Sequence, residues 1–349
     1  MIQLPPFHPN RPGLVAPVGR DPTGRTGPTR VQTRRRSWRR SSWGLYVPTE
    51  VSDDDPAQRI VEAGARLPSY GGVTGWAAVH WWGGAWSDGL EPDGATRRPV
   101  CLATGGTTIS RDQGVYVSEE GLDPLEVSLH DGLRVTTALR AVAFEMRYAP
   151  SERQAAAVLA MAAYSDLVSV DEMALYLSSL SGWTGIPRAR RATPLASENS
   201  WSPQEVLMQL VWELDAERPR PLCNLPVFNR QGRVIATPDL LDPEAGVYGE
   251  YDGSLHLAGS QRARDIQREG RLRDVGLEGV TMVAADKPDP TDFIRRLNGA
   301  YARARYAPES TRPWTIVPPP WWIPTDTVAA RRALTAPQRA RLLAHRRVA

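Results

Sequence analysis

Lysine is almost absent. Of the 42 lysine and arginine residues in this 349-residue chain, Lys287 is the only lysine, so guanidinium groups carry nearly all the positive charge. Guanidinium suits phosphate because its planar fork of donors meets two oxygens at once, although a GC-rich coding sequence produces the same bias without any binding role. Cysteine is scarce as well: Cys101 and Cys223 make neither a CxxC motif nor a disulfide framework, which points to a reducing compartment. No stretch approaches the ~20 continuous apolar residues of a membrane span, and the first residues lack the apolar core of a secretory signal. A cytoplasmic protein without a membrane segment is therefore expected. What the chain does have is 41% hydrophobic against 23% charged residues, the balance of a soluble globular protein, and enough length for two ordinary domains with tails.

Patterning divides the chain into four stretches. Residues 1–45 are rich in Pro, Gly and Arg without apolar periodicity, so a disordered basic arm is expected. Its run Arg34-Arg35-Arg36-Ser37-Trp38-Arg39-Arg40 suits either tracking a nucleic-acid backbone or simple solubility. Residues 46–185 read as an α+β domain that opens with a short strand at Trp43–Val47. Asp55 before Pro56 caps a helix to Leu67, and Val73–Trp82 reads as a second apolar helix ended by Gly83-Gly84. Strands are expected at 99–103, 107–110, 114–118 and 126–130, then helices from about Thr137, from Ser151 to Tyr164 and from Val170 to Leu180. His80, set among Trp and Val, reads as a packed core residue.

A linker is expected around 182–191, ahead of a second domain spanning 186–310. Ser202-Pro203-Gln204-Glu205 spells a helix capping box, and Val206, Leu207, Leu210, Val211 and Leu214 follow at helical spacing. Strands are expected at 226–229, 233–237, 247–251 and 279–285, with helices from Arg262 to Val275 and from Pro290 to Tyr306. Residues 311–349 hold the extended Pro/Trp stretch Trp314–Trp322, suited to wrapping the domain or docking a partner, and a basic helix from Thr335 to Arg347.

Chemistry concentrates between Pro226 and Gly276. Asp239 stands at one strand end, and Glu250 and Asp252 share one face of the next because strand side chains alternate. Carboxylates arriving together on strands hold a hard divalent cation, and such an ion beside arginine cleaves phosphodiesters. His256 follows as a general base or leaving-group partner, and Asp265 and Arg268 share a helical face. The bland alternative makes Asp239, Asp242 and Asp252 turn formers, Asp265–Arg268 a surface ion pair and Glu205 a helix cap.

In this order, from about Pro187 to Tyr306, the residues resemble the Vsr-like branch of the PD-(D/E)XK endonuclease superfamily. The likeness runs through helical Glu205, Asp239 at a strand end, Glu250-Tyr251-Asp252-Gly253 with His256 after it, a helix bearing Asp265, Arg268 and Leu272, and Gly276 before the next strand. It implies an α/β restriction-endonuclease-like domain, a mixed sheet flanked by helices, that cleaves DNA with Mg²⁺ or Mn²⁺. Asp239 and Glu250 would hold the metal. Asp252 and His256 would assist water activation or proton transfer, Arg268 would meet the scissile phosphate, and Asp265 and Glu205 would complete the site. The superfamily's lysine two residues after the glutamate is Asp252 here, and Lys287 lies late in the chain for a substitute. Vsr-like members use histidine instead, which directs attention to His256.

Residues 46–185 are similar to the middle part of AbiEi-type antitoxin proteins, and Trp43–Val47 resembles the last strand of the winged helix those proteins carry. The rest of that DNA-reading domain has no counterpart in the pattern before Trp43. The likeness implies binding of DNA or a cognate toxin. A second expectation therefore stands beside the nuclease: an antitoxin-like regulator that keeps an inactive nuclease fold as a scaffold.

Overall fold

Contacts sort the chain into two units, Met1–Tyr148 with Tyr176–Gly185, and Ala149–Leu175 with Ile186–Ala349. The computed structural model describes residues 4, 6–110, 112–253 and 259–347, with the backbone alone for 259–266 and 347. It is a mixed α/β protein of several sheets and helices. One boundary falls at 185–186, as expected, but Ala149–Leu175, expected in the first domain, belongs to the second unit. An alanine-rich stretch explains why: α4 (Glu152–Tyr164) buries Ala155, Ala156, Ala160 and Ala163, and so packs closely on α6 (Ile186–Ala192) and α7 (Pro203–Leu210).

The first unit corrects the expectation of a disordered arm. Strands β1 (Val18–Gly19), β2 (Trp38–Ser42) and β3 (Leu45–Pro48) form a small antiparallel sheet in the order β1-β3-β2. Gly44, at φ +74°, makes the β2–β3 turn. Arg39 of β2 donates to Glu62 at 2.6 and 3.0 Å, with Glu62 on α1 (Pro56–Gly64), so charge pairing organises a strand that apolar alternation does not announce. Asp55 caps α1 through Ala57 N at 2.8 Å, as expected.

A five-stranded mixed sheet in the order β6-β5-β4-β8-β7 forms the body of this unit. Its strands are β4 (Gly72–Thr74), β5 (Val100–Ala103), β6 (Val115–Ser118), β7 (Val127–His130) and β8 (Leu133–Thr136). Residues 107–110 form no strand. The helix expected from Val73 begins only at α2 (Gly75–Trp81), because Gly75 turns strand into helix at φ +61°, where a Cβ would lie 2.5 Å from Glu145 Oε1. His80 is part-buried, with Nδ1 2.7 Å from the Ser87 carbonyl, and burial pushes its pKa down. The helix α3 (Ala138–Tyr148) completes the layer against α2.

In the second unit α5 (Val170–Ser179) begins before the chain returns to the first, and α6 occupies what was expected as linker. After α7 a π-helical turn at Val211–Asp215 leads into the sheet β14-β13-β12-β9. Strands β9 (Leu222–Cys223), β12 (Leu240–Asp242) and β13 (Val247–Asp252) run antiparallel in turn. The helix α8 (Gly259–Asp274) then crosses to β14 (Glu278–Val283), parallel to β13. Between β9 and β12, the hairpin β10 (Val227–Asn229) and β11 (Val234–Ala236) forms a second sheet with β15 (Trp314–Thr315) from the Pro/Trp stretch. That stretch wraps its own unit, with Trp322 edge-on to Phe228 at 5.0 Å. The two faces of the β12–β13 ladder serve different cores. Leu240 and Val247 join Met208, Trp212 and Phe293, the last from α9 (Thr291–Arg303), whereas Leu241 and Tyr248 join Leu272 of α8.

At the end come α10 (Val328–Arg332) and α11 (Ala336–Leu342), the latter shorter than the basic helix expected. Arg331, fully buried, and Arg339 both pair with Asp166 at 2.6 Å, so these basic residues are used within the unit. Among the described residues no helix is long and apolar enough to cross a membrane.

Candidate functional site

The antiparallel register pairs Leu241 with Tyr248 and Leu240 with Gly249; continued one residue, it sets Asp239 opposite Glu250. Alternation then puts Asp239, Glu250 and Asp252 on the face that α8 covers, the face of Leu241 and Tyr248. Two carboxylates separated by a turn in sequence are thereby neighbours across one ladder. Asp239 Oδ2 accepts from Tyr251 N at 2.7 Å, which fixes this carboxylate against the backbone of β13. Glu250 is buried and accepts from Arg268 Nη2 of α8 at 2.7 Å. The geometry therefore pairs Arg268 with Glu250. Asp252 ends β13 and is exposed. His256 and the side chain of Asp265 lie outside the described residues.

Glu205 arrives from the opposite side of the sheet, in the first turn of α7. Ser202 Oγ accepts from Glu205 N at 3.2 Å, as the capping box requires, but the return bond goes elsewhere. The Glu205 carboxylate accepts from Trp201 N at 2.7 Å and Asn224 Nδ2 at 2.6 Å, and Ser202 Oγ donates to it at 3.0 Å. The capping role thus accounts for only part of this carboxylate's surroundings. Burial and then the Asp239 charge push the Glu205 pKa up to about 7, against these hydrogen bonds, which lower it. Burial contributes more to this shift than the neighbouring carboxylate does; a buried carboxyl with a second carboxylate beside it is an arrangement seen at functional sites.

Two residues of this site, Asn224 and Trp201, have no obvious signal in the sequence, and Lys287 lies near its edge. Asn224 sits at φ +47°, buried, where its side chain meets Glu205 and its own N–H donates to Asp239 O at 2.9 Å. One residue thereby links the helix-borne carboxylate to the main chain at Asp239, and only the Asn-Leu-Pro turn chemistry hints at it. Trp201 supplies an N–H to Glu205 while its ring lies 4.3 Å from that of His345. Lys287 is brought back by the parallel pairing of β13 and β14, which aligns Asp252 with Val283; its Nζ stands 5.4 Å over the Tyr251 ring. That ring packs with the Leu240 and Val247 core, so Lys287 stands on the other face of β13 from Glu250 and Asp252 and does not take the place of the missing lysine. Asp242, by contrast, is structural: it accepts from Glu244 N at 2.9 Å and from Tyr301 OH at 2.7 Å.

The donor chemistry of Asp239, Glu250 and Glu205 is all oxygen, and one carboxylate raises the proton affinity of another, so the set suits a hard divalent cation such as Mg²⁺ or Mn²⁺. Among the described residues no group of three or more His, Cys, Asp or Glu side chains already stands in a metal-holding arrangement. No protein-family model, curated protein or solved structure matches this chain.

Proposed function

We propose that the second unit is a metal-dependent DNA endonuclease domain of the Vsr-like type, hydrolysing a phosphodiester to leave a nick. The observation that carries this reading is convergence: Glu205 of α7, Asp239 before β12, Glu250 of β13 and Arg268 of α8 come from four elements to one end of one sheet. The order of that sheet, an antiparallel run followed by a helix and a parallel strand, agrees with the mixed sheet flanked by helices that the resemblance implies.

In this reading Asp239 and Glu250 would hold Mg²⁺, which would supply positive charge to the phosphate oxygens and acidify water. Arg268 leaves Glu250 for the scissile phosphate, where its forked donors suit two oxygens. Glu205, with its pKa near 7, accepts or returns a proton at working pH. Asp252 and, from the sequence resemblance, His256 and Asp265 assist proton transfer and orientation.

One observation favours the rival, an antitoxin-like regulator with an inactive nuclease scaffold. Arg268 already neutralises Glu250, as a protein with no need of a metal would arrange. Supercoiled plasmid with Mg²⁺, Mn²⁺ or EDTA separates the two. Nicking that needs the metal and falls by about 10²–10³-fold in both Asp239→Ala and Glu250→Ala is the expected result. Nicking that survives Asp239→Ala removes this site from the reaction, and none by folded protein on plasmid or mismatched duplex favours the regulator.

A further inference from the structure

We propose that the first unit carries a second, separate site, a pocket for a phosphate-class oxyanion built from Arg140 and Arg147 beneath Trp183, with Glu120 standing where the ligand would bind. The helix α3 places these arginines seven residues apart, two turns, and so on one face. Both are buried, Arg140 at 1% and Arg147 at 0% exposure. Buried guanidinium is tolerated when its donors find acceptors, and leaving donors unmet is costly.

Here the donors outrun the acceptors. Glu120 accepts from Arg140 Nη2 at 3.0 Å, from Arg147 Nη1 at 3.3 Å, from Arg147 Nη2 and from the Tyr148 hydroxyl at 2.6 Å. Arg147 Nε donates to Thr184 O at 2.8 Å. Glu126 is engaged by the Tyr176 hydroxyl and stands 3.5 Å from Arg140 Nε. Arg140 Nε and Nη1 are nonetheless buried without a hydrogen-bond acceptor. A carboxylate offers two oxygens and one charge; phosphate offers more oxygens and up to two charges, and forked guanidinium is the side chain that grips it bidentately.

Access is built in as well. Glu120 is 18% exposed, so its carboxylate has a route outward that the arginines lack. The Trp183 ring covers Arg140 at 4.6 Å and Arg147 at 5.0 Å, as a roof carried by a turn between Gly182 and Gly185, both at positive φ. A Cβ on Gly185 would lie 2.1 Å from Arg147 O, so only glycine lets this turn close onto α3. Nothing in the nuclease reading uses any of these residues.

The full-length protein titrated with inorganic phosphate, acetate or chloride at matched ionic strength tests the assignment, by calorimetry and by thermal unfolding. Glu120→Gln keeps the shape and removes the competing charge. It is expected to tighten phosphate binding by about tenfold or more, the equivalent of one charge-assisted bond, and to recover in phosphate the Tm it loses in chloride. Arg140→Gln is expected to abolish the phosphate effect; where that variant does not fold, the Glu120→Gln titration decides alone. Acetate acting as strongly as phosphate overturns the phosphate assignment. A Glu120→Gln protein indifferent to phosphate shows the cluster to be an internal ion network only.

Discussion

Glu205 and Glu120 are the same residue type, each buried or nearly so, yet the protein moves their proton affinities in opposite directions. Burial and the Asp239 charge push Glu205 up to about 7. At Glu120 burial also pushes upward, but the hydrogen bonds from Arg147 and Tyr148 and the Arg147 charge outweigh it, and the pKa falls. The first carboxylate sits in a negative field, the second in a positive one. Under the two proposals above, the sign of that field is what would favour a cation beside Glu205 and Asp239 and an anion beside Arg140 and Arg147.

The largest test of this contrast is its pH dependence. A glutamate whose folded pKa is raised holds its proton longer in the folded state. Its stabilising contribution is complete below the ordinary value of 4.5 and is lost as pH rises through about 7. Urea unfolding of the second unit's transition should therefore weaken from pH 4.5 to 7, by on the order of 3 kcal/mol, and Glu205→Gln should flatten that window. Asp239→Asn should flatten it in part by removing the neighbouring charge. Glu120 works in the other sense: its contribution is present above the ordinary carboxylate range and is lost on acidification through the lowered folded pKa. Hydrogen exchange should thus show peptides around α7 losing protection from pH 5 to 8, whereas those around α3 stay level there and lose protection only on acidification below the ordinary carboxylate range. Parallel slopes would dissolve the comparison.

A smaller effect sharpens it at the junction of the two carboxylates. Asn224→Ala removes the donor to Glu205 and places alanine at a positive φ that asparagine tolerates better. A loss of about 1–3 kcal/mol in urea unfolding is expected, with the Glu205 titration, read by NMR, moving further upward. An unchanged titration would mean that Asn224 serves the turn and not the carboxylate.

Much of this arrangement was legible because it rests on local rules. Asp55 and Ser202 announce their helices through capping chemistry, and the spacing Glu250–Asp252 announces a shared strand face before any pairing is known. What was not legible depends on partners distant in sequence. Arg39 makes β2 ordered only because Glu62 awaits it on α1. Gly75 starts the Trp-rich helix two residues late by turning strand into helix at positive φ, and the nearby Glu145 leaves no room for a Cβ there. Asn224 has no periodicity to betray it. That 149–175 joins the second unit was hidden for the same reason: the alanines of α4 say that something packs closely on them but not what.

The smallest predicted effect is the most diagnostic for the positive field. Trp183 contributes no hydrogen bond to the arginines; it covers them with the face of its ring, at 4.6 and 5.0 Å. Trp183→Leu keeps apolar cover and deletes the ring quadrupole, so chemical unfolding should show a loss of only about 0.5–2 kcal/mol, the worth of a cation–π contact from exposed to desolvated. If Trp183 is also the roof of an oxyanion pocket, the variant should exchange phosphate faster on and off while changing its equilibrium affinity little, because the guanidinium forks remain. A loss of several kcal/mol with no kinetic change would assign Trp183 to the packing of the first unit. The field around Glu120 would then be set by Arg140 and Arg147 without a gate.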